Sequence, residues 1–171
     1  MSNKAISLVL GSGGARGLAH VGVIRWLEEH GHQIRSISGC SIGSFIGGAY
    51  ATGTLDAIVD WMENLTKKEI YSMLDLSFSR DSLVKGEKLA EAIQSKIGTG
   101  LIEDLPIKFT AVAADIATEK EHWFQTGPID QAIRASVSLP LLFTPHTVDG
   151  VQWIDGGILN PPPLEPTFAE Q

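Results

Sequence analysis

Cysteine occurs once in the 171 residues, as Cys40. A single cysteine excludes an internal disulfide and any zinc site built on thiolates. It suits a reducing compartment such as the cytoplasm. Basic residues are also few: 13 Lys and Arg stand against 20 Asp and Glu, for a formal net charge of -7. No run of Lys and Arg is dense enough to track a phosphate backbone, which argues against a nucleic-acid partner. Charged residues make up 19% of the chain and hydrophobic residues 43%, which excludes a disordered polyelectrolyte and leaves a globular protein. The length suits one domain with a hydrophobic core.

Long hydrophobic runs are missing too, with one stretch to weigh. Ser36 to Leu55 carries no charge and has the length of a membrane span. It also holds Gly39, Gly43, Gly47, Gly48 and Gly53 among several Ser and Thr, and reads as a buried soluble segment. At the N-terminus, Lys4 followed by Ala5 to Leu10 is a weak export signal. A buried first strand entering a tight turn explains it better, and a soluble protein is expected.

Along the chain, Ile6 to Leu10 reads as a strand stopped by Gly11-Ser12-Gly13-Gly14. Leu18 to His30 reads as a helix ending at Gly31. Ile34 to Ser38 is a second strand. It leads into a small-residue helix that closes at Gly53. Thr54 is placed to cap an amphipathic helix carrying Leu55, Ile58, Val59, Met62 and Leu65. Lys67 to Arg80 has no clear pattern. Leu89 to Ile97 marks a helix face, Phe109 to Ala114 a central strand, His122 to Phe124 a further strand, and Pro128 to Ser136 a short helix. Val148 to Ile154 alternates loosely. The prolines 161, 162, 163 and 166 predict an extended tail. Strands alternating with helices predict an α/β layered fold with a largely parallel sheet and no internal repeat.

Three patterns could carry chemistry. Gly39-Cys40-Ser41-Ile42-Gly43 is a G-x-S-x-G sequence between a predicted strand and a predicted helix. That is the setting of a nucleophile elbow, a sharp turn that lifts the Ser41 hydroxyl clear of the sheet toward a helix N-terminus. Cys40, next in the chain, is expected to point away and be structural. Gly11 to Gly17 forms a glycine loop after the first strand. It lacks the Gly-Lys-Ser/Thr ending of a P-loop. Ser12-x-Gly14-x-x-Gly17 nearly meets a dinucleotide fingerprint, but Gly39, Cys40 and Ser41 stand where the ribose-binding acid belongs. An oxyanion hole for Ser41 and a plain tight turn complete the readings. Asp155-Gly156-Gly157 closes a strand, and alone would read as a surface turn.

Together these pieces resemble the patatin-like phospholipase family, in particular small bacterial members related to the catalytic domain of neuropathy target esterase. The glycine-rich motif corresponds to Ser12 through Gly17, with Ser12 where the family usually has Gly. The elbow corresponds to Gly39 through Gly43, and the D-G-A/G motif to Asp155-Gly156-Gly157. Val112 to Asp115, and Ala132 to Ser136 followed by Pro140, fit as well. The resemblance runs from Ile6 to Pro163. It implies a three-layer α/β fold, mostly parallel, with helices on both faces. It also implies a single domain over 1–171, cut short at its C-terminal end because few residues follow Asp155.

The implied activity is lipid acyl hydrolysis by a Ser41–Asp155 dyad. Backbone N–H groups of Gly13, Gly14 and Ala15, joined by Ile42, would form the oxyanion hole, with Gly17, Gly39, Gly43, Gly156 and Gly157 as motif glycines. The substrate would be a lipid ester or lysophospholipid, with no metal or cofactor. Transient contact with a membrane surface and self-association are the further partners. Leu139 to Phe143 would line an acyl pocket or simply pack in the core, and Arg16 would tie its loop to a carboxylate. Two alternatives stand beside this. One is an α/β-hydrolase triad of Ser41 with Asp115 and either His122 or His146, since no histidine follows Asp155. The other is a silent module that binds lipid or protein through the same cleft.

Overall fold

The computed structural model describes residues 4–66, 68, 87–140 and 142–170; the Lys67 to Arg80 stretch falls almost wholly outside them. The first half alternates strand and helix. β1 (Ala5–Leu10) leads through a 3-10 turn at Gly14–Leu18 into α1 (Ala19–Glu29). β2 (Gln33–Cys40) leads into α2 (Ile42–Ala51), and α3 (Leu55–Glu63) follows. The second half holds α4 (Glu87–Ile97), β3 (Lys108–Asp115), β4 (Lys120–Phe124) and α5 (Ile129–Ser136). A hairpin of β5 (His146–Val148) and β6 (Val151–Asp155) closes the sheet.

The strand order is β1-β2-β3-β6-β5, with β4 also paired to β3. β1, β2 and β3 run parallel, in register through Leu10, Gly39 and Ala111. β4 and β6 are both antiparallel to β3. The result is a three-layer α/β arrangement. Phe109 to Ala114 is buried without interruption, as a strand covered on both faces must be. Helix α2 lies over β1, β2 and β3, and α5 lies over β3 and β6. The glycines of α2 allow its close approach: Gly47 sits against Ile37 and Phe109, and Gly48 against Ile133. Leu10, Ile24, Ile37, Ile46, Ile58 and Ile133 are all at 1% exposure or less and form the core.

Two local expectations change. Thr54 does occupy the N-cap position of α3, but its hydroxyl turns back to the Ala49 carbonyl and to Thr52 instead of capping. The proline tail is not extended throughout, because Glu165–Glu170 forms a 3-10 turn that packs on β1 and β2. The β5–β6 connection is a two-residue Asp149-Gly150 turn with φ of 51° and 81°, the left-handed pair that suits a tight hairpin.

Candidate active site

The parallel pairing of β1, β2 and β3 brings the first two motifs to one edge of the sheet. β2 ends at Cys40 and α2 starts at Ile42, so Ser41 alone makes the turn, with φ 56° and ψ -127°. Such a backbone costs a non-glycine residue about 1–3 kcal/mol and persists only where its surroundings enforce it. Here Gly43 leaves no room for a side chain, because a Cβ would collide with the Leu10 and Gly11 carbonyls. The Ser41 carbonyl accepts from the Ser44 and Phe45 N–H groups, which starts α2. The Ser41 N–H donates to Ser136 Oγ at 2.9 Å, and Ser136 Oγ donates to the Val112 carbonyl at 2.6 Å. Ser136, wholly buried at the end of α5, thus ties the turn to β3.

The third motif arrives on the antiparallel strand. Asp155 ends β6 opposite Ala113 and is buried, with 3% of its surface exposed. Its Oδ2 accepts a hydrogen bond from Ser41 Oγ at 2.5 Å, and its Oδ1 accepts one from the Gly157 N–H at 2.7 Å. The Asp155 N–H donates to the Ser138 carbonyl at 2.9 Å. Ser138 is held by the buried Arg134, whose guanidinium donates to Ser138 Oγ at 2.6 Å. Burial raises the Asp155 carboxyl above the ordinary carboxylate range, partly offset by the bonds from Ser41, Gly157 and Cys40. That shift moves an aspartate toward useful basicity at neutral pH.

Cys40 corrects the sequence reading. Its thiol does not point away from the site: Sγ lies 3.9 Å from Asp155 Oδ1 and accepts from Ser12 Oγ at 3.4 Å. Burial pushes the thiol pKa up to about 12, so it stays protonated.

The glycine loop packs against both other motifs. Ser12 donates its N–H to the Pro161 carbonyl at 2.9 Å and lies beside Gly157. Gly17 is buried against the Ile42 side chain. Gly13, Gly14 and Ala15 are exposed; Gly14 and Ala15 open the 3-10 turn, where N–H groups lack a carbonyl within the turn. Ile42 and Gly43 hold the same position at the start of α2. Gly156 follows Asp155 and packs on the Val112 carbonyl. Gly39 precedes the elbow, closely approached by the Gly43 carbonyl.

Among the described residues, none of the remaining candidates hydrogen-bonds to the Ser41 hydroxyl. His146 Nε2 contacts Gln131 Oε1 at 2.7 Å. His122 packs on Phe124 and Trp153. Burial lowers the pKa of both imidazoles. Asp115 accepts from the Ala117 N–H and the Thr118 hydroxyl, closing the β3–β4 turn. Arg16 is exposed and makes no ion pair with a carboxylate among the described residues. Of the Leu139 to Phe143 run, Phe143 is buried under the Arg134 guanidinium, Leu139 is 42% exposed, and Leu141 is outside the described residues. A half-open cleft of about 540 Å³ lies at the start of β3, the end of the strand away from Ser41. Among the described residues, no group of three or more His, Cys, Asp or Glu could hold a metal. No helix among them is long and apolar enough to cross a membrane.

Sequence reasoning missed Ser138 and gave Ser136 no role. The partners of the Ser136 hydroxyl and of the Ser138 carbonyl lie far away in the chain, and only the packing of α5 on β3 and β6 reveals them.

Known proteins resemble this chain in sequence and in fold. An NTE family protein of Mycobacterium tuberculosis is 47% identical over 165 residues, which cover 96% of this chain and 46% of that protein. Lysophospholipase NTE1 of Candida albicans is 37% identical over 168 residues, covering 96% of this chain and 12% of that one. The chain therefore spans under half the length of these relatives. Among solved structures, VipD from Legionella pneumophila superposes with a TM-score of 0.52 at 18% identity, over 92% of this chain and 46% of VipD, a likeness of fold alone. The patatin-like phospholipase family model matches residues 8–168, taking in all three motifs, and the chain belongs to that family.

Proposed function

We propose that this chain is a serine hydrolase of lipid carboxylic esters, of the phospholipase A or lysophospholipase type, working through Ser41 and Asp155. The observation that carries this reading is the 2.5 Å hydrogen bond from Ser41 Oγ to Asp155 Oδ2, made at a backbone turn that only tight packing sustains. In the first step Ser41 Oγ attacks the ester carbonyl while its proton passes to Asp155 Oδ2. The carbonyl oxygen becomes an oxyanion, received by N–H groups of Gly13, Gly14, Ala15 and Ile42. The tetrahedral species then collapses. The ester C–O bond breaks, and the Asp155 proton goes to the departing alcohol. In the second step water attacks the acyl-Ser41 ester and gives its proton to Asp155; the fatty acid leaves and Ser41 regains its proton.

The substrate class is drawn from relatives such as lysophospholipase NTE1. Leu18, Leu139, Ile158 and Leu159, all 42–50% exposed, flank the motifs that hold Ser41 and Asp155. Apolar side chains so placed suit contact with aggregated lipid. The free thiol of Cys40 suits the cytoplasm as the working compartment. A fluorophosphonate probe, followed by mass spectrometry of the modified peptide, tests the assignment. Labelling at Ser41, lost together with p-nitrophenyl butyrate turnover in Ser41→Ala, is the expected result. Turnover that survives Ser41→Ala would overturn it.

A further inference from the structure

The mechanism above leaves unused a buried thiol that touches its carboxylate. Cys40 is the last residue of β2, has no exposed surface, and is the only cysteine of the chain. Its Sγ lies 3.9 Å from Asp155 Oδ1, on the side of the carboxylate opposite Ser41. Behind it, Ser12 Oγ donates to Sγ at 3.4 Å. Ser12 belongs to the glycine loop and is anchored there through its N–H to the Pro161 carbonyl. These contacts form one directed chain: the Ser12 hydroxyl donates to the thiol, and the thiol donates to the carboxylate.

We propose that Ser12 and Cys40 are positioning residues, a donor chain that holds Asp155 ionised with Oδ2 turned to Ser41. The inference rests on the dyad reading and deepens it. A carboxylate in a low-dielectric site is kept charged by the donors it can gather. Asp155 gathers three, from Ser41, Gly157 and Cys40. The Gly157 N–H and the thiol both act on Oδ1, so that oxygen is held and Oδ2 is left for the nucleophile. Since burial pushes the thiol pKa up to about 12, Cys40 stays a donor across the working pH range. Donation from Ser12 to sulfur polarises the S–H bond and strengthens the contact with Asp155. The neighbouring elements bring other titratable groups: Asp115 on β3, Glu121 and His122 on β4, Arg134 on α5, and His146 on β5. The hydrogen bonds that act on the Asp155 carboxyl, however, come from Ser41, Gly157 and Cys40.

The chain also gives position 12 a purpose. A glycine there would serve a bound oxygen equally well through its backbone, but it would leave the thiol without a donor.

Two measurements on the whole chain test this. The first is the infrared S–H stretch, which with one cysteine reports Cys40 alone. In the wild type the band should sit below that of a free thiol, and it should rise in Asp155→Ala and in Ser12→Ala. A free-thiol band indifferent to both changes would overturn the proposal. The second is the acid limb of kcat/KM with p-nitrophenyl butyrate. Losing one weak donor raises the Asp155 pKa, so the limb should move up by about half a pH unit in Cys40→Ala. In Ser12→Ala it should move up by less. Ser12→Ala keeps the test open should Cys40→Ala fold poorly, since Ser12 is only partly buried. A merely structural role would lower the melting temperature and leave the limb in place, which would overturn the proposal. Asp155→Asn separates the two layers. If it keeps full turnover, the dyad reading and this one fall together. If it abolishes turnover while the limb stays fixed in both other variants, only the positioning chain falls.

Discussion

Ser136→Ala removes one oxygen atom from the core and should reach both stability and catalysis. Ser136 Oγ accepts from the Ser41 N–H at 2.9 Å and donates to the Val112 carbonyl at 2.6 Å, with no exposed surface. Losing the second bond costs about 1 kcal/mol, and stranding the part-buried Ser41 N–H costs about 1–3 kcal/mol more. The sum, about 2–4 kcal/mol, corresponds to a melting temperature lower by about 4–15 °C in a chain of this size. Urea unfolding should show a lower midpoint with an unchanged m-value. The catalytic effect follows from strain. Ser41 holds φ 56° against a cost of about 1–3 kcal/mol, and the Ser136 bond is one of the forces that hold it there. Without that bond the turn relaxes and Ser41 Oγ drifts from Asp155 Oδ2. A misplacement of about 1 Å costs up to about 100-fold in rate, so kcat/KM for p-nitrophenyl butyrate should fall about 10- to 100-fold. A stability loss below about 0.5 kcal/mol, the size of an ordinary surface substitution, together with unchanged kcat/KM, would refute the reasoning.

Asp155→Asn should lose kcat/KM by about 100-fold or more while gaining stability at neutral pH. Burial raises the Asp155 carboxyl above its unfolded value, so the native state holds a proton longer than the unfolded chain does. The stability this contributes is present at low pH and is lost as pH rises through the folded pKa. Asparagine has no such proton to lose, and urea midpoints of the two proteins should diverge in its favour from acid to neutral pH. His122→Ala and His146→Ala should keep near wild-type turnover. A drop of about 100-fold in either, the size expected for a lost general base, would favour a triad. Gly43→Ala should cost about 3 kcal/mol or more, because its neighbours at the clash are backbone carbonyls that cannot rotate aside; a melting temperature equal to wild type would show that the elbow has slack.

What could be read from residue order was what the backbone demands locally. Gly39, Ser41 and Gly43 stand at spacings that only a strand–turn–helix crossing requires, and Asp155 precedes two glycines that a close loop requires. Phe109 to Ala114 was legible as a central strand because burial on both faces leaves it without a charged residue. The Asp149-Gly150 turn carried a hairpin signal equally plain, yet the loose alternation from Val148 to Ile154 obscured it. Cys40 was misjudged because alternation along β2 says which face a side chain leaves by, and not what a later strand brings to that face. Asp155 reaches Cys40 only because β6 runs antiparallel beside β3, a pairing no local pattern encodes. The same limit hid Ser138, whose carbonyl meets Asp155 through the packing of α5 on β6. Arg16, a charge beside the glycine loop, suggested an ion pair; it is exposed and makes none among the described residues.

That antiparallel β6 has a bearing on how the chain comes to be active during folding. Ser41 and Asp155 are 114 positions apart, and the strand that joins their environments, β3, pairs with both β2 and β6. Closing so long a loop carries its entropy cost before any contact repays it. The Ser41–Asp155 pair is therefore assembled only once β3 holds both neighbours, and not by the elbow itself. A chain folded only through α2 would own the turn and lack Asp155. The rate at which Ser41 becomes reactive toward a fluorophosphonate after dilution from urea should then follow completion of the whole sheet, and should lag behind the recovery of helical signal.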